Sequence, residues 1–210
     1  GAAQHSQCVE AWFTHIPGVQ VVAPSNPYDA KMVLKAAIES DDPVIYFENK
    51  ILYKEKGEMP ELADETPYTI GKARVEREGT DVTIVSYSIG MKNARGAADL
   101  LAKDGIKAEV IDLITLSPWD KETVLNSVKK THRLCLVQEA VKQGGFCAEI
   151  AATVAEVVVV EEAVRVVGEA EVGVRQDRVE LLLLLVVLGL ARSDLVDDAC
   201  VEASRRLEAA

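Results

Sequence analysis

Short apolar runs alternate with amphipathic segments along roughly the first 156 residues. Residues 19–23 (Val-Gln-Val-Val-Ala) read as a buried strand, since a brief apolar run bounded by turn residues suits a strand covered on both faces. Pro24-Ser25-Asn26-Pro27 then turns the chain. Asn26 is placed as a helix N-cap and Pro27 as the first helical residue, where the missing proline N–H has no partner to lose. Ala30, Val33, Leu34, Ala37 and Ile38 follow at helical spacing and predict one apolar face. Ser40-Asp41-Asp42-Pro43 stops this helix, and residues 44–47 give a second strand. Parallel sheets are built from such strand–helix–strand units.

Residues 50–70 change character, being charged and punctuated by Gly57, Pro60 and Pro67. They predict a surface linker between two domains. From Asp81 a second α/β series begins. Strands are predicted over 82–87, 108–113 and 133–137, and helices over 91–103 and 120–131. Ala94, Ala97, Ala98, Leu100 and Leu101 are available for packing on the first of these helices. A further helix follows Gly144-Gly145 through Ala148, Ile150 and Ala151. Strands alternating with helices predict a mostly parallel sheet covered on both faces, with ligands on loops at the carboxyl ends of its strands. Beyond about residue 157 the chain turns to valine and leucine runs, without an aromatic after Phe146 or a proline after Pro118. Residues 164–167 suit a last strand, and Ser193-Asp194 caps a final helix through Ala199, Ala203 and Leu207.

With 210 residues and 49% hydrophobic content, the chain has material for a large core. Its formal charge of −11 argues against nucleic acid as a partner, because phosphates require basic neighbours. The longest apolar run, residues 181–191, falls short of the about 20 residues a membrane span needs. Cys8, Cys135, Cys147 and Cys200 are too scattered for a zinc site or a disulfide framework, so a reducing compartment is expected. Cys135 and Cys147, in apolar surroundings, are expected to be buried thiols.

Ala2-Ala3-Gln4-His5-Ser6-Gln7-Cys8 carries the candidate chemistry. A histidine among polar neighbours that fix its tautomer exchanges a proton near neutral pH. An apolar-aromatic turn through Trp12 and Phe13 to Pro17-Gly18 would seat this polar loop against a core. His15, ending that turn, reads as structural. His132, in Lys129-Lys130-Thr131-His132-Arg133, reads as part of a basic helix end favoured by the helix dipole. Asp112, Glu139 and Glu149 read as structural or interface residues, because nothing in the sequence orients them together.

The opening motif, Val19 to Lys31, Asp42 to Asn49, Glu78-Gly79-Thr80-Asp81, Asp112-Leu113 with Thr115-Leu116-Ser117-Pro118, and Glu139-Ala140 with Gly144-Gly145-Phe146 occur in a fixed order. In that order they resemble the β subunit of the thiamine-diphosphate-dependent 2-oxoacid dehydrogenases, of the pyruvate dehydrogenase type. The resemblance implies the end of a pyrimidine-binding thiamine-diphosphate-fold domain (1–53), a linker (54–75) and a transketolase C-terminal-like three-layer α/β/α domain (76–210). It implies thiamine-dependent oxidative decarboxylation of pyruvate, with acetyl transfer to the lipoyl group of the acyltransferase. His5 stands at the position of the family histidine that faces the lipoyl channel and donates a proton or stabilises charge. The family glutamate that activates the aminopyrimidine lies upstream of this chain. Thiamine diphosphate and magnesium are held mainly by an α subunit, and potassium is implied at the backbone carbonyls of Ala37, Ser40 and Asp42. The implied partners are that α subunit in an α2β2 assembly, a second β subunit, and the lipoyl and subunit-binding domains of the dihydrolipoyl acyltransferase. The location would be bacterial cytoplasm, mitochondrial matrix or plastid stroma. The residues leave two rivals open: an acetoin or branched-chain 2-oxoacid dehydrogenase β subunit, and a non-catalytic dimerisation or docking module.

Overall fold

Two small parallel arrangements of strands, each joined through a helix, organise the protein. The computed structural model describes residues 7–59, 61 and 68–159. His5, the strand expected over 164–167 and the helix expected after Ser193 lie outside the described residues. In chain order the elements are α1 (Glu10–Thr14), β1 (Gln20–Val22), α2 (Pro27–Glu39) and β2 (Val44–Tyr46), then a 3₁₀ turn at Lys50–Lys54. There follow β3 (Arg74–Arg77), β4 (Val82–Ser86), α3 (Gly90–Lys103), β5 (Ala108–Asp112), β6 (Thr115–Ser117), α4 (Lys121–Thr131), β7 (Leu134–Leu136) and α5 (Phe146–Val154). A π-helical turn covers Ala155–Val159. Residues 1–151 cluster as one compact unit and 152–210 as a second, of which only 152–159 are described. No described helix is long and apolar enough to cross a membrane.

The first sheet has the order β2-β1-β6. β1 and β2 are parallel, with Val21 opposite Ile45, and α2 makes the crossover between them. β6 joins β1 antiparallel, so a strand from the second α/β series completes the first sheet. Its core gathers Val22, Val33 and Ile114, with Tyr46 and Tyr68 packed against them. Asn26 caps α2 as expected: its Oδ1 accepts from the Asp29 N–H at 2.9 Å, with Pro27 as the first helical residue.

The second sheet has the order β3-β5-β4-β7, with β5, β4 and β7 parallel and β3 antiparallel at one edge. Helices cover both faces because strand side chains alternate. Ile84 points to α3, joining Met91, Ala94 and Ala98 beside Ala108 and Val110. Its neighbour Thr83 points the opposite way, to α4. There its hydroxyl lies 2.6 Å from Ser127 Oγ and 2.7 Å from Thr131 Oγ1. Thr131 donates to the Arg133 carbonyl at 3.1 Å. Each of the fully buried Val85 and Ile111 side chains contributes about 1.5–3 kcal/mol by removal from water.

Several expectations need correction. The expected apolar stripe of α2 is only partly core: Met32 and Val33 are buried beside Asp29, whereas Leu34 and Ile38 are 46% and 76% exposed. The buried face is thus rotated toward Asp29, which an ion pair draws inward. Leu100 on α3 is likewise exposed. Cys147 is buried, but Cys135 is exposed, because β7 is the edge of its sheet among the described residues and turns that position outward. β3 was not expected, since Arg-Val-Glu-Arg carries a single apolar residue and pairs through its charges. α4 ends as its basic cluster suggests, with His132 left-handed (φ 54°) and its N–H donating to the Val128 carbonyl at 2.7 Å.

Candidate active site and its surroundings

Ser25, at the carboxyl end of β1, donates to Asp112 Oδ2 at the end of β5. Asp112 Oδ1 accepts the Ile114 N–H at 3.2 Å. Arg95 of α3 donates to Ser25 Oγ at 2.8 Å and grips Glu76 with two bonds of 2.7 Å. Alongside, Arg74 pairs with Asp29, whose other oxygen accepts from Asn26 Nδ2 at 2.6 Å. Tyr68 donates its proton to the Lys72 carbonyl at 2.6 Å and therefore accepts from Thr115 Oγ1, also at 2.6 Å. These bonds form a polar seam between the β1–α2 region and the second sheet. Complete burial pushes the Asp112 carboxyl from 3.8 up to about 7; Ser25 and Arg74 oppose this, while Glu76 and Asp29 reinforce it.

A second cluster lies where α1 begins. Glu10 and Tyr87 are both more than nine-tenths buried, and neither Glu10 Oε2 nor the Tyr87 hydroxyl has a hydrogen-bond partner among the described residues. Burial raises the Glu10 pKa above the ordinary carboxylate range, with Glu139 adding to the effect and a backbone hydrogen bond opposing it. Burial likewise raises the Tyr87 phenol, with Glu10 the first charge to act on it. Nearby, Cys8 Sγ donates to Glu139 Oε2 at 3.4 Å, and Asn49 Nδ2 donates to that same oxygen at 2.7 Å. Burial, then the charges of Glu10 and Glu139, push the Cys8 thiol up to about 12. Glu139 sits in a loop that Gln138 staples. Its amide nitrogen donates to the Ala140 and Val141 carbonyls (3.3 and 3.0 Å), and its oxygen accepts the Cys147 N–H at 2.9 Å. A Cβ at Gly145 would collide with the Gln138 side chain and the Val141 carbonyl, so this loop requires glycine there.

A cavity of about 580 Å³ is lined by His15 beside α1, by Pro118, Trp119 and Lys121, and by Phe146 and Glu149 of α5. Phe146 meets Trp119 edge-on at 6.3 Å and Tyr87 at 6.4 Å, so one aromatic row runs from the cavity lining to Tyr87. Lys121 Nζ lies 5.6 Å from the centre of the Trp119 ring.

The expected site residues distribute as follows. His5 lies outside the described residues; the segment that follows it is held at Cys8. Ser40 and Asp42 share one loop after α2, and Ala37 is in the last turn of that helix. Ser40 Oγ donates to Gln20 Oε1 at 3.4 Å and accepts the Asp42 N–H at 3.2 Å, while Asp42 accepts from Gln20 Nε2 at 3.0 Å. Those side chains are thus tied to β1, and the last carbonyls of α2 are without partners inside the helix, which is the donor chemistry a potassium ion takes. Among the described residues no group of three or more histidine, cysteine or carboxylate side chains gathers for a metal ion. The unpartnered Glu10 and Tyr87 groups suit the rim of a site, but the described residues supply no acidic cluster for the cofactor's metal. Sequence reasoning overlooked Glu10, Tyr87, Ser25 and Arg95. Only Glu10 carried a signal, as a carboxylate set within an apolar-aromatic turn.

An α/β protein with its polar clusters at the ends of parallel strands is the class that this arrangement defines. The family description "Transketolase, C-terminal domain" matches residues 71–187, and "Transketolase, pyrimidine binding domain" matches residues 1–56. The chain belongs to the transketolase C-terminal domain family. It is 49% identical over 156 residues to the mitochondrial pyruvate dehydrogenase E1 component subunit beta of Dictyostelium discoideum, covering 73% of this chain and 44% of that protein. It is 48% identical over 157 residues to the 2-oxoisovalerate dehydrogenase subunit beta of Bacillus subtilis (strain 168), covering 74% and 47%. A solved structure described as "Split gene transketolase, inactive beta4 tetramer" superposes with a TM-score of 0.60 at 29% identity, over 70% of this chain and 48% of that one. The chain therefore spans less than half the length of these relatives.

Proposed function

We propose that this chain is part of a 2-oxoacid dehydrogenase β subunit of the pyruvate type, acting in thiamine-diphosphate-dependent oxidative decarboxylation with acetyl transfer to a lipoyl group. The observation that carries the reading is the anchoring of the segment after Gln4-His5-Ser6-Gln7. Cys8 is tied through Glu139 to Asn49, beyond the ends of β7 and β2, within a stretch of 156 residues 49% identical to a pyruvate dehydrogenase β subunit. In this reading His5 donates a proton, or stabilises charge, as the acyl group passes to the dithiolane. Thiamine diphosphate, when bound, supplies the carbanion chemistry, and an α subunit holds most of it together with magnesium. Residues 1–53 and 76–210 are the two domains, joined by 54–75. A potassium ion at the carbonyls of Ala37, Ser40 and Asp42 stabilises the end of α2. The partners are the α subunit, a second β subunit and the lipoyl and subunit-binding domains of the acyltransferase. The compartment follows the host: bacterial cytoplasm, mitochondrial matrix or plastid stroma.

The likeness to the Bacillus subtilis protein favours one second reading, a branched-chain 2-oxoacid dehydrogenase β subunit. Reconstituting the protein that carries this chain with its α subunit, thiamine diphosphate and magnesium separates the two. Faster turnover of pyruvate than of 2-oxoisovalerate is expected, and the reverse order would replace pyruvate as the substrate. Loss of all α-dependent turnover would leave a docking module. His5→Ala is expected to impair lipoyl acylation more than decarboxylation; equal loss in both steps would overturn the role given to His5.

A further inference from the structure

Two opposite charges and an apolar surface meet in the cavity beside α1. Its volume of about 580 Å³ lies within the about 300–1,000 Å³ usual for small-molecule sites. Leu116, Pro118, Trp119 and Phe146 make up the apolar part of the lining, and Lys121 and Glu149 add one cation and one carboxylate. Arg74, Arg77, Lys92, Arg95 and Lys130 each hold a carboxylate elsewhere in the protein. Lys121 and Glu149 enter no ion pair among the described residues; Lys121 Nζ lies instead 5.6 Å from the centre of the Trp119 ring. The two charges are carried by separate, fixed elements. Lys121 opens α4, where the N-cap Asp120 accepts the Thr123 N–H at 3.1 Å on one oxygen and the Ala73 N–H at 3.2 Å on the other. Glu149 stands in the first turn of α5, which Gln138 holds through the Cys147 N–H at 2.9 Å. Leu116 and Phe146 are buried, and Phe146 is already packed edge-on against Trp119 and Tyr87, so the apolar part is formed in advance.

We propose that this cavity binds a small zwitterion with an apolar body, the chemistry of an α-amino acid bearing a large apolar side chain. The ligand's carboxylate meets Lys121, its ammonium meets Glu149, and its side chain lies against Trp119 and Phe146. A simple anion or a simple cation answers one of the lining charges and is repelled by the other; a zwitterion answers both with charge-assisted bonds. Rings that are packed before the ligand arrives add contact area at little ordering cost. Binding of this kind is independent of the dehydrogenase reading and is measured without turnover.

The protein that carries this chain is titrated by calorimetry at pH 7 with three probes. These are L-phenylalanine, 3-phenylpropionate, which lacks the ammonium, and 2-phenylethylamine, which lacks the carboxylate. L-Phenylalanine is expected to bind with a Kd on the order of 1 mM, and each truncated probe about tenfold more weakly. Lys121→Met is expected to weaken L-phenylalanine about tenfold while leaving 2-phenylethylamine within about twofold. Glu149→Gln is expected to weaken L-phenylalanine by a similar factor of about ten while leaving 3-phenylpropionate within about twofold. Ala148→Phe, at an exposed position of the lining, fills the cavity and is expected to weaken all three probes by more than about tenfold. L-Phenylalanine should also raise the thermal midpoint of the native protein and leave that of the Ala148→Phe variant unchanged. Absence of binding by L-phenylalanine up to about 20 mM would overturn the assignment. Binding that survives Ala148→Phe would place the ligand elsewhere and overturn it as well. So would charge variants that weaken all three probes alike or none of them, because the cavity would then not be reading the two charges.

Discussion

The polar seam and the cluster behind Cys8 are built from the same materials, buried carboxylates beside hydroxyl groups, yet they are finished differently. In the seam each buried charge meets a partner: Arg74 holds Asp29, Arg95 holds Glu76 and reaches Ser25, and Ser25 donates to Asp112. In the cluster, Glu10 Oε2 and the Tyr87 hydroxyl are left without partners among the described residues, and Glu139 spends one oxygen on two donors. A saturated network orients two regions and resists opening. A half-finished one costs stability and leaves groups free to act. The difference separates residues that hold the fold from groups whose partners are not among the described residues.

The largest effect is expected in the seam. Arg74→Met leaves Asp29, almost wholly buried, with only Asn26 as a side-chain donor. Removing one partner of a buried pair costs about 3–5 kcal/mol, and the half-exposure of Arg74 places this case near 3. Urea unfolding at pH 7 measures it, and a loss under about 1 kcal/mol would make the seam no stronger than a surface ion pair.

Asp112→Asn tests the same seam through pH. The folded protein holds the Asp112 proton up to about pH 7, whereas an unfolded chain releases it near 3.8. Between those values the native state binds more protons than the unfolded one, so stability from this group is full below about pH 4 and is lost as pH rises through 7. The ceiling is about 4 kcal/mol, at about 1.4 kcal/mol for each unit of pKa. Asparagine keeps the shape and does not ionise. The variant is expected to match the native protein near pH 4 and to exceed it by about 2 kcal/mol at pH 8. Parallel stability curves would mean that the seam does not keep this carboxyl neutral.

A smaller pair of changes sharpens the contrast between finished and unfinished clusters. Tyr87→Phe removes a hydroxyl without a partner among the described residues and is expected to raise stability by up to about 1 kcal/mol. Thr83→Val removes the hydroxyl that bonds both Ser127 and Thr131 and is expected to cost about 1–2 kcal/mol. Thermal unfolding of both variants gives the comparison directly, and equal losses would erase the distinction.

Much of the fold was legible because its signals are local. The Asn26-Pro27 start of α2, the apolar strands β1, β4 and β5, and the basic end of α4 all follow from neighbouring residues. What stayed hidden depends on partners distant in sequence. β3 exists because Arg74 and Glu76 find Asp29 and Arg95, 45 and 19 residues away. β6 is a strand because β1 lies open to it, and α2 turns Asp29 inward because Arg74 waits there. Of the expected site, Gln4, His5 and Ser6 lie outside the described residues. The link from Cys8 to Glu139 spans 131 residues, and local spacing carries no trace of it.

Cysteine reactivity is the mildest of these tests, since it leaves the protein's stability untouched. The two cysteines expected to be buried part company on an alternation that sequence does not settle: Cys135 faces outward from β7, and Cys147 faces inward from the first turn of α5. Burial pushes the Cys147 thiol up to about 12, so at pH 8 only about one molecule in ten thousand carries the reactive thiolate. Alkylation of the native protein, followed by peptide mass spectrometry, is expected to modify Cys135 at least about tenfold faster than Cys147. Glu139→Ala should bring Cys8 toward Cys135 and leave Cys147 where it was. If Cys147 also became reactive, Glu139 would be holding the whole Gln138 loop against α5 rather than bonding Cys8 alone.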